Sequence, residues 1–427
     1  MDADTQNRAN DNPAIYIARE NAGATNVYET APLARTIRTW AATLALCAPL
    51  MLAAQQAQST PIVPFPDTGD LFVTTQNGIV RVDETTGALS FFVTDSQIQT
   101  ATAADPGASG GGSYGQTNLA FDSAGNLYFT DDGADSVLRR TAGGALSVLA
   151  SQTALEAAVG GGGNVDTAGV AFGNDGFLYV LNDEASTGRS IVRVDPDSGA
   201  ASLFVSEATL NAAANAAAVS GSGSFNFDGG VVGSLDGKIY VTNEGGNPRG
   251  VFEVDLGTGV VTELASGDAD LLTNQPAYIT RGPNGDLFVG HNGGGNILRI
   301  TPGGDVSEFL SEAQLIVANG GVVTSEDGGI AFDDAGNFYL LDDSSDNILK
   351  FVVDDALTDP EVTLPGSIFV AAADFQAFDD NFNGLVVGIA FAPVAQSTAV
   401  PEPANLALFG IGLLGLGWVR QRKRKTA

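Results

Sequence analysis

Cysteine is almost missing from this 427-residue chain. Its one copy, Cys47, sits in an N-terminal apolar run, so the rest of the chain has no thiol. That excludes a disulfide framework, Cys-ligated zinc and a cysteine nucleophile. Histidine is as scarce. His291 stands alone, and a His-ligated metal or a Ser-His-Asp triad would have to be built on it. Bases are few: 19 Lys and Arg face 50 Asp and Glu, for a formal charge of −31. Residues 60–399 hold 44 acidic and 10 basic side chains, a local balance of −34. Such a surface repels nucleic acid and anionic lipid, attracts divalent cations or basic partners, and favours solubility. Long apolar runs occur only near the two ends.

What the chain does contain is a repeat, with 54 glycines to turn it. Residues 169–206 hold four short apolar runs: Val170–Phe172, Phe177–Leu181, Ile191–Val194 and Ala201–Val205. Each is too short for a helix and rich in Val, Ile, Phe and Tyr. Turn residues such as Asn174-Asp175-Gly176 and Asp195-Pro196-Asp197-Ser198-Gly199 separate them, which predicts a four-stranded antiparallel meander. Turn glycines recur at Gly69, Gly125, Gly176, Gly237, Gly285 and Gly336, each ahead of a second strand. First strands read Leu119–Asp122, Val170–Gly173, Val231–Ser234, Ile279–Gly282 and Ile330–Asp333. The unit at Gly69 lacks a first strand, and a surplus copy, Ile389–Ala392, follows the last unit. The two defects complement each other. They predict an all-β fold over residues 60–396: one six-bladed β-propeller, closed by 385–394 pairing beside 69–94. A β-helix has shorter coils and would leave no such pair of defects. Ser151, Ser206 and Ser311 each precede an Ala/Leu-rich run, which predicts short N-capped helices after fourth strands.

The ends read as addresses. Residues 1–58 are a polar extension followed by a secretory signal peptide, with Arg35 and Arg38 ahead of the apolar core 41–54. At the other end stand Pro401-Glu402-Pro403, an apolar run over 404–419 and a basic tail over 420–425. That run can cross a bilayer as a helix if flanking arginines snorkel, leaving the basic tail cytoplasmic. Gly410–Gly415 matches a dinucleotide fingerprint by spacing, but it lies inside this run, away from any strand–turn–helix unit. Residues 400–427 resemble the PEP-CTERM sorting signal. The resemblance implies export in a Gram-negative bacterium, anchoring in the inner membrane by the C-terminal helix, and processing by an exosortase near Pro-Glu-Pro. It implies exosortase and the secretion machinery as partners, and a final place in the envelope, at the surface or in the extracellular matrix.

Strand direction alternates within a blade, so strand-one starts and strand-two ends share a face with the helical inserts. That face collects Asp131-Asp132, Asn182-Asp183, Asn243-Glu244, His291-Asn292 and Asp342-Asp343, with Asp166, Asp228, Glu326 and Asp327 at strand-one starts. Oxygen donors without His or Cys suit Ca²⁺ or Mg²⁺, although Asp and Asn also end strands and cap turns with no ligand. Residues Asp379-Asp380-Asn381-Phe382-Asn383-Gly384 begin like an EF-hand loop. Position 12 is Ala390 and a strand follows, which leaves a looser calcium loop over Asp379, Asn381 and Asn383. His291 reads as a proton carrier at the channel mouth or as a polar strand end.

The repeats resemble six-bladed propellers of the NHL and senescence-marker/gluconolactonase type. Hydrolases of that group hold a divalent cation in the channel with Glu, Asn and Asp, the Asn lying just before a first strand. The matching positions here are Thr117, Ala168, Gly229, Ala277 and Gly328. Two functions stay open. One is an exported, envelope-associated propeller that binds or scaffolds, with a polysaccharide or protein ligand and no nucleic acid, or that acts simply as a coat. The other is a Ca²⁺-dependent lactonase or phosphotriesterase-like hydrolase using the acidic channel mouth.

Overall fold

The structure, a computed structural model, describes residues 69–103, 118–161, 163–218, 221–227, 230–233, 236–267, 275–292, 295–322, 328–354 and 360–392. The segment expected to be a signal peptide, Pro401–Pro403 and the apolar run 404–419 lie outside the described residues. Among the described residues no helix is long and apolar enough to cross a membrane.

Six antiparallel four-stranded sheets follow one another along the chain. Blade 1 begins with β1 (Leu71–Thr75), β2 (Gly78–Val82) and β3 (Leu89–Thr94). Blade 2 holds β4 (Leu119–Phe121), β5 (Leu127–Asp131), β6 (Ser136–Arg140) and β7 (Leu146–Ala150). Blade 3 holds β8 (Thr167–Phe172), β9 (Leu178–Asn182), β10 (Ser190–Val194) and β11 (Ala201–Val205). Blade 4 holds β12 (Val231–Gly233), β13 (Lys238–Asn243), β14 (Gly250–Asp255) and β15 (Val261–Ser266). Blade 5 holds β16 (Gln275–Arg281), β17 (Leu287–Asn292), β18 (Ile297–Ile300) and β19 (Val306–Leu310). Blade 6 holds β20 (Ile330–Phe332), β21 (Phe338–Asp342), β22 (Asn347–Asp354) and β23 (Glu361–Val370). The last strand, β24 (Leu385–Phe391), returns to pair with β1 as the inner strand of blade 1.

The expected closure is therefore present. Leu71 pairs with Phe391 and Val73 with Ile389, and a bulge lies between Val73 and Thr75. At that bulge the Thr74 hydroxyl accepts from the Gly388 amide at 2.8 Å. Inner strands touch their neighbours around a full circuit, β24, β4, β8, β12, β16, β20 and back. No inner strand is left as an end of a stack, as the first and last coils of a solenoid would be.

Burial explains the sequence pattern. The second strands β1, β5, β9 and β21 are buried at every residue, because each is covered by a blade on both faces. They are accordingly apolar over their first three residues rather than alternating, with polar residues only at the last one or two positions. The core is divided into six apolar clusters, one in each seam between neighbouring blades. Outer strands are half-exposed, and each carries a bulge at the same place. The bulged residues are Phe92, Leu149, Phe204, Leu264, Phe309 and Phe369. A bulge lets two consecutive residues turn toward the core. The next residue in each blade (Val93, Ala150, Val205, Ala265, Leu310, Val370) is buried.

Among the described residues five helices follow outer strands: α1 (Asp95–Thr102), α2 (Gln152–Ala158), α3 (Glu207–Ala217), α4 (Glu312–Ala318) and α5 (Ala372–Phe378). Each packs on the outer strand of the next blade: α1 on β7, α2 on β11, α3 on β15, α4 on β23 and α5 on β3. Ser151 and Ser206 cap α2 and α3 as expected, accepting from Ala154 and Thr209 amides. At α4 the Ser311 amide and hydroxyl both donate to Gln314. The residue four past each cap (Ile98, Leu155, Leu210, Leu315, Phe375) is buried. It fixes the helix over the seam.

Candidate functional site

The six inner strands enclose a central channel of about 190 Å³. Small residues at equivalent positions, Ala120, Ala171, Val232, Thr280, Ala331 and Ala390, lie along its wall. Its lining side chains are mostly apolar; Asn118, Tyr278 and Thr280 add polar atoms, and among the described residues no Asp, Glu, His, Lys or Arg lines it.

Charge gathers instead at the mouth, where second strands end. In blades 3, 4 and 6 the last residue of the second strand is buried, and in blades 3 and 4 it serves the backbone. Asn182 Oδ1 accepts from the Asp166 amide at 2.9 Å, and its Nδ2 donates to Gly188 O and Ser190 Oγ, both at 3.1 Å. Asn243 likewise accepts from the Asn226 amide and donates to the Ser224 and Pro248 carbonyls. Asp342 accepts from Asn319 and Ser345. His291 is fully buried, with Nδ1 3.0 Å from the Asn296 carbonyl oxygen, which fits a strand-end role.

The blade 2–blade 3 seam differs. The β5–β6 turn contributes Asp132 and Asp135, and the segment entering β8 contributes Asp166. One carboxylate oxygen from each lies within 4.8 Å of the other two. The turn holds Asp135 in the left-handed region at φ 46°. Gln152, the first residue of α2, is only 3% exposed and donates from Nε2 to Asp135 Oδ2 at 3.3 Å. Burial, then the charges of Asp132, Asp166, Asp131 and Glu156, push Asp135 up to about 7. Burial, then the charge of Asp132 and a hydrogen bond to it, raise Asp166 as well, against the pull of Arg189. Arg189 is itself engaged with Asp183, Nε to Oδ1 at 2.6 Å. Asp183 Oδ1 also accepts from the Phe227 amide of the following blade.

Of the residues expected to hold a cation, Asp166 lies in this cluster. Asp228, Glu326 and Asp327 lie outside the described residues. Asp379, Asn381 and Asn383 lie on the loop that leads into β24. Asp379 Oδ2 accepts from Asn77 Nδ2 at 2.7 Å, the same nitrogen donates to the Asn381 carbonyl, and Asn383 Nδ2 donates to Gln76 Oε1. That loop clasps the β1–β2 turn and shares no group with the Asp166 cluster. Asp135 and Gln152 escaped the sequence reading. The dense run Asp131-Asp132-Gly133-Ala134-Asp135 was a usable signal; Gln152, at a helix start, offered none.

Comparison with protein families supplies the address. A sorting-motif model matches residues 399–423, spanning Pro401, Glu402 and Pro403. The chain carries a PEP-CTERM protein-sorting motif. The motif implies export and exosortase-dependent sorting with a membrane-anchored stage. A second model, described as a repeat of unknown function (DUF6923), matches residues 171–364 of this chain. Comparison with curated proteins finds no match. Among solved structures, a chain of a nidogen/laminin complex is 13% identical with a TM-score of 0.51, covering 77% of this chain and 100% of that one. Virginiamycin B lyase from Staphylococcus aureus is 14% identical with a TM-score of 0.43, covering 73% and 89%. A gluconolactonase from Xanthomonas campestris is 16% identical with a TM-score of 0.43, covering 78% and 96%. At these identities the likeness is one of fold.

Proposed function

We propose that this PEP-CTERM protein is an exported propeller that serves the cell envelope as a binding or scaffold module, with extracellular polysaccharide as the ligand class its sorting route favours. The observation that carries this reading is a closed ring, joined to a sorting motif, whose channel wall among the described residues bears no Asp, Glu, His, Lys or Arg. Hydrolysis needs an acid, a base or a metal-bound water at a cavity that takes the substrate. The channel is such a cavity, its described wall offers Tyr278 but no carboxylate, imidazole or amine, and the one histidine is buried. The hydrolase reading draws its support from the acidic cluster at the mouth, which lies in a seam between blades rather than on the channel wall.

Two measurements test the proposal. The chain, tagged ahead of the motif, is expressed in a Gram-negative host with and without its exosortase. The wild type should leave the membrane fraction for the surface or matrix only when the enzyme is present. A variant with Pro401, Glu402 and Pro403 all changed to Ala should stay in the membrane fraction. Purified chain should then sediment with isolated matrix polysaccharide and turn over neither lactones nor phosphotriesters in millimolar calcium. Turnover, or release without exosortase, would overturn the reading.

A further inference from the structure

We propose that Asp132, Asp135, Asp166 and Gln152 form a calcium site that ties blade 2 to blade 3. The inference is independent of the polysaccharide reading and concerns the ring itself. Calcium–oxygen distances run about 2.3–2.6 Å, so two oxygens on one ion lie no more than about 5 Å apart. The three carboxylate oxygens meet that limit together, within 4.8 Å. They come from two chain segments that do not otherwise need to meet: two from the β5–β6 turn and one from the entry to β8.

Gln152 points to a ligand independently. Its amide reaches the cluster through Asp135, yet its Oε1, in the same buried end group, has no hydrogen-bond partner. A buried amide oxygen without a donor is costly. Rotation of that amide about its last bond exchanges Nε2 for Oε1 beside Asp135, where a cation held by the carboxylates satisfies it. The donor set is then four oxygens with neither nitrogen nor sulfur. Asp132 and Asp166 are half-buried, which leaves room for water to complete a shell of six to eight.

The molecule carries its own comparison. The β21–β22 turn of blade 6 repeats the pattern as Asp342-Asp343-Ser344-Ser345-Asp346, with Asp346 at φ 56° where Asp135 has 46°. In that seam the residue before β24 is Gly384, where blade 3 has Asp166, and α5 begins with Ala372, where α2 begins with Gln152. A Cβ placed on Gly384 would lie 3.3 Å from Asp346 Oδ1. The two positions therefore face their turns alike. The repeat accounts for the shape of the turn. It does not account for Gln152 and Asp166, the two additions that complete four donors in the 2–3 seam.

The test uses the purified full chain stripped with EDTA and titrated with Ca²⁺ at pH 7.5, followed by calorimetry and thermal unfolding. One equivalent should bind saturably. At about 100 times Kd the midpoint should rise by roughly 5 °C, and EDTA should reverse it. Asp135→Asn with Asp166→Asn should weaken binding at least tenfold while leaving the EDTA midpoint equal or higher, since it relieves like-charge crowding. Gln152→Leu keeps every charge and should still weaken binding several-fold, an effect that diffuse attraction of calcium to an acidic surface would not produce. Asp379→Asn should bind as the wild type does. No saturable shift up to 10 mM calcium, a shift unchanged in the double variant or in Gln152→Leu, or a shift lost in Asp379→Asn would each overturn the site.

Discussion

Asp131 and Asn182 hold the same position, the last residue of the second strand in blades 2 and 3, and each faces a serine across the ladder. Asn182 donates to its serine, Ser190. Asp131 cannot donate when ionised. Its Oδ2 and the Ser136 hydroxyl are both buried without a hydrogen-bond partner. Burial raises Asp131 from 3.8 to about 6, with Asp95 adding to the rise and the Gly133 and Ala134 amides opposing it. The sign follows. Between about pH 4 and 6 the folded chain keeps a proton that the unfolded chain has released, so stability falls as pH rises through that window. The loss is on the order of 3 kcal/mol and persists above it. Asp131→Asn restores two donors in a slot shaped for Asn. Urea unfolding in EDTA should show it more stable than wild type by about 2 kcal/mol at pH 8 and equal near pH 4. Equal stability at both pH values would mean that Asp131 meets a partner in solution.

The outer-strand bulge is the element that converts a simple meander into a blade. In blades 1, 3, 5 and 6 the bulged residue is Phe, and its ring packs on the aromatic of the second strand: Phe92 on Phe72, Phe204 on Tyr179, Phe309 on Phe288 and Phe369 on Tyr339, with centroids 4.5–5.5 Å apart. Phe309 also meets Phe332 and Phe338, which join blades 5 and 6. Phe309→Ala should cost about 3 kcal/mol in chemical unfolding, whereas Ser307→Ala, two residues earlier on the exposed face, should stay within about 0.5 kcal/mol. A loss below 1 kcal/mol for Phe309→Ala would mean that the ring collapses to fill the space. Blade boundaries were legible in the sequence because second strands carry continuous apolar runs and turn glycines precede them. The bulges were not, since a pair such as Leu149-Ala150 reads simply as two apolar residues. Helices α1 and α5 were also missed. Thr94 and Ala371 replace the serine cap, and α1 is mostly polar. The acidic face was legible from strand alternation, and with it Asp166. Its meeting with Asp135 and Gln152 was not, because a turn, a helix start and a strand entry share no period and approach only when two blades close.

At the scale of the whole ring, the seam between β1 and β24 joins segments more than 300 residues apart in the chain, and nothing covalent holds it. Gly69 guards that seam. Gly125, Gly176, Gly237, Gly285 and Gly336 adopt positive φ, as tight turns require. Gly69 does not. A Cβ on it would lie 2.0 Å from the Ala392 carbonyl oxygen, inside the closing contact where the Ala392 amide donates to Asp70 O. Gly69→Ala and Gly237→Ala therefore separate two causes. The first should cost about 2 kcal/mol by pushing the chain ends apart. The second has open space around its Cβ and should cost about 1 kcal/mol through backbone strain alone. Hydrogen exchange distinguishes them further. With Gly69→Ala, amides of β1 and β24 should exchange at least tenfold faster than those of β13 and β14, because the open ends of a broken ring fray locally. With Gly237→Ala no such gradient should appear. Equal, uniform acceleration in both variants would mean that the ring opens only by global unfolding, and that its closure is no weaker than the seams formed by adjacent blades.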